Sequence, residues 1–466
     1  MNNSFYNSGP QSIELKKINN RNNDELDYSN DKKQGFKSFF LNNLISNQTN
    51  SKDARNTDLN LAMEEINLPL PDQGFFAWRY LIVSFLIQGL VWGPPLSFGV
   101  FLNFAPYSQM NPSLAALIGT CCTGILYCFG SPVMSSMQRC PKLTLWYPTI
   151  GTLMCTGAFL SASYSTKVWQ FVLSQGVMYA VGASLLYYPS LLFLAEWWII
   201  RRGFAGGIMF AGSSTFGLII PPILDWSLGK YGTSKTLRFF GIVFLAGMFP
   251  LLPFFRGRLP VSSVRRKNSL KTRIYFSRPL FWAFMSLSLI QSLAFFVPAL
   301  YLPSYAISIG SPGGLVLALF AGASIVGQLA MGALSDHYDL GLIMGLNLMA
   351  STISTFVLWG FSKGFSMLAT FAIVYGVSAG GFSCLWQRFA MTVAPSDPNP
   401  GSLVVYFGAC RGIANLLTGP ISGAMIQHSE NSKGANGYKT LVYYSGSLMM
   451  IGTIGVALGK FFHQKQ

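Results

Sequence analysis

The stretch Glu196-Trp-Trp-Ile-Ile-Arg-Arg-Gly-Phe-Ala-Gly-Gly-Ile-Met-Phe-Ala-Gly-Ser-Ser-Thr-Phe-Gly217 decides the fold. Arg201 and Arg202 separate two long apolar runs, one ending near Trp198 and one reaching from Gly203 to about Leu224. Neither run is stable in water. Gly203, Gly207, Ala211 and Thr215 recur at every fourth position, so a helix carries them as a stripe of small side chains on one face. In lipid, where apolar bulk gives helices no drive to associate, such a stripe lets two backbones approach closely. The run is therefore expected to be a packed transmembrane helix.

Composition extends that reading to the whole chain. Of 466 residues, 51% are hydrophobic and only 10% charged, a ratio that a bilayer accommodates and a soluble surface does not. Three histidines and few acids beyond residue 72 leave little material for a nucleophile–base pair or a metal site. No enzyme activity, cofactor or metal is expected. The net charge of +16 resides mostly in short segments between apolar runs, which is the pattern of membrane topology and not of a nucleic-acid-binding face. The seven cysteines lie in apolar runs or one short loop, with no disulfide or zinc spacing.

Residues 1–70 are rich in Asn, Ser, Asp and Lys, too polar to bury a core, and are expected to form a disordered cytoplasmic tail. They lack an apolar core of signal-peptide length. Within the tail, residues 35–45 fit either a transiently ordered segment or a short amphipathic helix on the membrane surface. Twelve apolar runs follow near residues 76–103, 113–135, 143–163, 168–197, 203–224, 237–255, 279–305, 314–335, 340–360, 366–391, 402–426 and 438–461. Each is close to the ~20 residues that cross a hydrocarbon core. The longest polar gap after the tail carries Arg256, Arg258, Arg265, Arg266, Lys267, Lys271, Arg273 and Arg278, so it and both termini belong in the cytoplasm. The expectation is an all-α membrane protein of twelve transmembrane helices in two pseudo-symmetric six-helix halves. Residues 71–256 form the first bundle, 257–278 a basic cytoplasmic linker and 279–466 the second bundle with a short cytoplasmic end. Glycan on Asn47, in an Asn-Gln-Thr sequon on the predicted inner side, would overturn this topology.

A repeat supports two halves: Gly332-Ala-Leu-Ser-Asp336 follows the eighth run, and Gly130 to Arg139 and Lys142 follow the second. The chain here resembles the major facilitator superfamily, whose loops at these places carry glycine, an acid and basic residues. Pro71-Asp-Gln-Gly-Phe-Phe-Ala-Trp78 is similar to the signature that opens monocarboxylate-transporter-like proteins, and the run from Arg201 to Gly217 to that family's fifth-helix signature; the fungal branch is nearest. The resemblance implies a secondary-active or facilitative carrier of a small organic solute, working by alternating access. Asp72, Trp78, Glu196, Arg201, Arg202, Gly203, Gly207, Gly332 and Asp336 then belong to its gating and structural motifs, with Asp336 latching a helix N-terminus or standing solvated in its loop, and Glu196 beside Arg201 or Arg202. Pro94, Pro95, Pro298 and Pro303 are its kink points. The lysine of animal lactate carriers is absent, with Leu96 in its place, and their eighth-helix aspartate and arginine are replaced by Ser324 and Gln328.

Within the spans, an ionisable residue is costly and so marks function. Arg411 lies nine residues into the eleventh run, or about 14 Å at 1.5 Å per residue. With Asn415 one turn on, it either holds an anionic or amide-bearing solute or forms a lock with Asp336 or backbone carbonyls. Gln175, Tyr179, Gln291, Tyr301 and Gln328, with Gln88, are further substrate contacts or interhelical hydrogen bonds. Trp92, Tyr187, Tyr188 and Tyr375 are candidate stacking surfaces. With every carboxylate near a helix end or in a loop, transport is expected to be facilitated diffusion or coupled through the solute's own proton. The solute is an organic anion or a planar molecule such as a vitamin; partners are the lipid bilayer and this solute, with no nucleic acid, and the chain is expected to be a monomer. The other open reading is a non-transporting nutrient sensor with the tail as its signalling arm. Long spans favour the plasma membrane over the vacuolar membrane.

Overall fold

The computed structural model describes residues 68–69, 71–102, 104–110, 112–258, 275–394, 401–428 and 437–463. The polar tail, its 35–45 segment, the Asn47 sequon and most of the basic linker lie outside these residues.

Every apolar run becomes a helix. They are α1 (Gly74–Phe101), α2 (Pro112–Cys128 continued by Gly130–Arg139), α3 (Tyr147–Ser163), α4 (Val168–Trp197), α5 (Arg202–Tyr231) and α6 (Thr233–Phe254). After the linker come α7 (Pro279–Ser308), α8 (Gly313–His337), α9 (Leu340–Trp359), α10 (Phe365–Val393), α11 (Gly401–His428) and α12 (Lys439–His463). Among the described residues, ten are long and apolar enough to cross a membrane. The other two are α3, with 17 residues, and α11, which carries Arg411, Asn415, Thr418 and Ser422 along its length.

Three boundaries differ from the sequence reading. The second run, read as ending near residue 135, continues as helix to Arg139, and the Gly332 to Asp336 motif, read as following the eighth run, lies inside α8. Helix α5 runs past Pro221 and Pro222 to Tyr231, because nothing stops it before Gly232, whose positive φ of 76° makes the turn into α6. Prolines also sit inside α1, α4, α7 and α11, which lipid-embedded helices tolerate when neighbours satisfy the freed carbonyls. Two π-helical turns, Val172–Met178 in α4 and Ser354–Trp359 in α9, add further irregularity.

The helices before and after the linker each pack among themselves as well as on one another. Before it, α1 rests on α4 and α5, and α3 rests on α4 and α6. After it, α7 packs on α11 and α12, α8 on α10, and α9 on α12. The two groups meet mainly where α5 crosses α8 and α2 crosses α11. At one constant offset Trp78, Ser84 and Pro94 of α1 match Trp282, Ser288 and Pro298 of α7, and both serines are fully buried. These matches place the two half-opening helices in the same register, as expected for repeated halves.

The small-residue stripe of α5 explains the α5–α8 contact. A β-carbon on Gly203 would stand 2.5 Å from the Gly332 carbonyl oxygen, and one on Gly207 2.5 Å from that of Gln328. Hydrogen alone fits there. On another side of α5, a β-carbon on Gly212 would land on the Phe85 carbonyl oxygen of α1. Close backbone contact substitutes here for the hydrophobic drive that lipid removes.

Gly212→Leu is accordingly expected to destabilise the detergent-solubilised protein by about 2 kcal/mol or more, read as a lower melting temperature. Gly322→Leu, where a β-carbon meets nothing within 4 Å, is the control and should melt like the parent.

Candidate functional site: a buried arginine between the halves

Helix α11 enters the bundle on the linker side and brings Arg411 to a position only 5% exposed. Ten residues into α11, it lies about 15 Å along the axis at 1.5 Å per residue. Its guanidinium carbon is 4.6 Å from the Phe295 ring centroid, 5.1 Å from that of Phe296 and 5.7 Å from that of Trp386. From the opposite half, the Tyr127 hydroxyl faces the Arg411 side chain, and Tyr187 faces Tyr127 in turn. Trp92 completes this wall, 4.7 Å from Tyr127 and 5.6 Å from Tyr187 between ring centroids. Both halves thus contribute to one aromatic chamber.

The chamber is short of hydrogen-bond partners. Arg411 Nε and Nη1 have none, and the same holds for Tyr187 Oη, Trp386 Nε1, Gln387 Nε2, Gln291 Oε1, the Ser288 and Ser292 hydroxyls and both amide atoms of Gln88. Helical periodicity accounts for part of this grouping: Ser288, Gln291, Ser292 and Phe295 share one face of α7, and Ser84, Gln88 and Trp92 one face of α1. Each orphaned neutral group costs about 1–3 kcal/mol, and a buried cation without a counter-charge costs several. The rings recover part of the latter, about 2 kcal/mol for a desolvated cation–π contact. Donors outnumber acceptors, so the arrangement suits a ligand rich in acceptors.

Other residues singled out in the sequence have partners of their own. Asn415 donates its amide to Thr123 of α2, across the junction where Gly412 and Gly124 bring α11 and α2 together. Gln175, on the π-helical turn of α4, accepts from Tyr107 at 2.9 Å, and Tyr179 donates to the Val91 carbonyl at 2.8 Å. Tyr301 accepts from Ser422 at 3.1 Å, and the Gln291 amide nitrogen donates to the Ala379 carbonyl at 3.3 Å. Gln328 is buried on α8 at the α5 crossing with its Oε1 unpartnered. Of the stacking candidates, Trp92 and Tyr187 line the chamber, while Tyr188 and Tyr375 donate to the backbone at Tyr127 and Ala294. The sequence does not mark out Tyr127, Phe295, Phe296 and Trp386; their signal is proximity to Arg411 in the fold, which linear sequence does not display.

On the linker side, one helix terminus gathers the motif residues. The Asp336 carboxylate of α8 accepts from the backbone N–H groups of Gly203 at 2.9 Å and Phe204 at 2.8 Å, spanning the halves. Asp72, held at φ 59°, accepts from the N–H groups of Ile199 (3.1 Å), Ile200 (3.0 Å) and Arg201 (3.0 Å). Two carboxylates thus serve the exposed N–H groups and positive end of α5. The buried Arg202 guanidinium donates to the carbonyls of Trp198 and Ala195, both at 2.9 Å, and Trp78 packs edge-on against Trp198 at 5.4 Å. Glu196 is buried alongside, at the end of α4.

Apolar helices of membrane length surround the buried Arg411 guanidinium where the halves meet, and the Asp336 carboxylate joins the halves at one end. The chain belongs to the Major Facilitator Superfamily, whose pattern it matches over residues 79–419. It is 25% identical over 401 residues to the MFS-type transporter pynF of Aspergillus niger, covering 84% of this chain and 90% of that protein. It is 27% identical over 398 residues to the aspyridones efflux protein apdF of Emericella nidulans, covering 83% and 78% respectively. The nucleoside transporter NupG shares the fold, with TM-score 0.61, 13% identity and coverage of 82% of this chain and 99% of that one. These relatives support a multi-pass transmembrane transporter.

Replacing Asp336 with Ala removes both acceptors from the α5 terminus and should favour opening on the linker side. The check is a cysteine at Gly206, where a β-carbon has room 3.6 Å from Gln387. Its labelling by an impermeant maleimide from the linker side should rise several-fold in Asp336→Ala.

Proposed function

We propose that this protein is an alternating-access carrier for a small organic anion, of the monocarboxylate-transporter-like kind, with Arg411 as the principal binding residue. The observation that carries this reading is the pair of unpartnered nitrogens, Nε and Nη1, on a guanidinium buried among rings from both halves. An organic anion supplies the missing acceptors and the missing counter-charge, and its apolar body contacts the aromatic walls. Gln88, Gln291, Ser288, Ser292, Trp386 and Tyr187 are the polar groups placed to select among such anions.

Exposure of the chamber alternates between sides. With the linker side cytoplasmic, as its basic residues favour, the Asp336 contact closes the inner end. Separation of α8 from α5 then breaks two hydrogen bonds, while Asp72, within the first half, keeps its own three donors and holds the α5 terminus in shape. The small residues at 203, 207 and 332 let the two backbones meet without large side chains between them, which favours a reversible contact. Efflux, the activity printed in the name of the Emericella nidulans relative, is the direction we assign, and the plasma membrane is the proposed location.

The test is a comparison of intracellular and medium metabolites between null cells and cells overexpressing the parent chain or Arg411→Ala. The parent should deplete one or more organic acids from cells by several-fold, and Arg411→Ala, present in equal amount at the surface, should leave them at null levels. A variant that exports as well as the parent would remove Arg411 from the binding role.

A further inference from the structure

The charge inventory around Arg411 bears on what drives transport. The carboxylates of the described residues lie at helix ends. Asp72, Glu196, Asp336 and Asp339 are on the linker side, and Asp225 is exposed near the far end of α5. Asp72 and Asp336 are occupied by α5 backbone donors, and Asp339 accepts from the Leu342 N–H. The titratable groups that face Arg411 are of a different kind: Tyr127 from α2, Tyr187 from α4, and Tyr375 and Cys384 from α10. Phenols and thiols ordinarily ionise well above neutral pH, so these groups neither take up nor release a proton in a transport cycle near pH 7. The remaining chamber polar groups, amides, hydroxyls and an indole, do not titrate there.

We infer that the carrier exports a planar organic monoanion by uniport, with the membrane potential as the driving force and no proton moving with it. This rests on the reading of Arg411 as the binding residue. One guanidinium neutralises one negative charge, so a monoanion crosses as a neutral pair, whereas a dianion leaves net charge in a low-dielectric chamber. Phe295, Phe296 and Trp386 stand around the guanidinium, and their rings are surfaces on which a flat delocalised anion paired with Arg411 would stack. The empty carrier returns with Arg411 charged, so each full cycle moves one negative charge outward. A cytosol-negative potential favours that direction, and about 100 mV sustains roughly a 50-fold excess outside for a single charge. Export thus requires no coupling ion and no titrating carboxylate at the site.

The experiment uses the purified full-length chain in liposomes loaded with 2-naphthalenesulfonate, a planar monoanion at every workable pH, with 2-naphthoate as a second probe. A potassium gradient and valinomycin set the potential. Inside-negative potential should raise the initial efflux of both probes several-fold over zero potential, a reversed potential should suppress it, and a protonophore added at fixed potential should change neither. Efflux that follows a pH gradient and ignores the potential overturns the inference, as does failure of both probes to show saturable flux. The two readings are separated by Arg411→Gln. If it lowers flux at least about tenfold while parent flux ignores potential, binding at Arg411 stands and the driving force assigned here falls. If Arg411→Gln transports with unchanged KM and rate, the binding role itself falls.

Discussion

A guanidinium without a carboxylate, placed deep in a bilayer, is the constraint around which this protein is arranged. Arg411 is 5% exposed, yet two of its nitrogens lack partners. Aromatic rings from α7 and α10 carry part of its electrostatic cost and a phenol from α2 faces it. Such a site is expensive when empty and less so when an anion enters. On the proposed function, that difference is available as binding energy at the junction of the two halves.

The proposed alternating access requires the junction between the halves to part. On the linker side the halves touch through the backbones of Gly203, Gly207, Gln328 and Gly332, the Ser335 hydroxyl and the Asp336 carboxylate. Deeper, α2 and α11 approach through Gly124 and Gly412, joined by the Asn415–Thr123 hydrogen bond. Within each half, close glycine contacts also occur, as Gly212 on Phe85 and Gly327 on Val377, and buried tyrosines donate to backbone carbonyls, as Tyr80 to Ser190 and Tyr305 to Ser362, each at 2.9 Å. The proposed rocking about a central site would turn on the α5–α8 crossing, the most extensive helix contact among the described residues.

How much of this is legible in the sequence depends on the periodicity each feature leaves. Apolar runs of membrane length give every helix, and the four-residue spacing of Gly203 and Gly207 gives a close helix contact before any partner is known. Arg411 stands out because a charge in an apolar run is costly wherever it points. The helix ends were less readable: α5 passes two prolines and α2 continues to Arg139, since lipid and neighbouring helices tolerate irregularities that end helices in water. Asn415 and Tyr179 looked like ligand contacts from their depth alone, but their hydrogen bonds to Thr123 and Val91 depend on which helix lies opposite. Tyr127, Phe295, Phe296 and Trp386 went unnoticed for the same reason, in a chain with 38 phenylalanines, 20 tyrosines and 10 tryptophans. Only the fold separates the rings that hold a cation from those that fill space.

Charge at position 411 is therefore the quantity to measure. An Arg411→Cys carrier should lose organic-acid export, and reaction of that cysteine with a methanethiosulfonate bearing an ethylammonium group, which returns a positive charge to the chamber, should restore a measurable part of it. The native chain treated in parallel reports reaction at its own cysteines. A neutral methyl methanethiosulfonate should restore nothing. Equal recovery with the neutral reagent, or full export by Arg411→Cys before any treatment, would contradict the account.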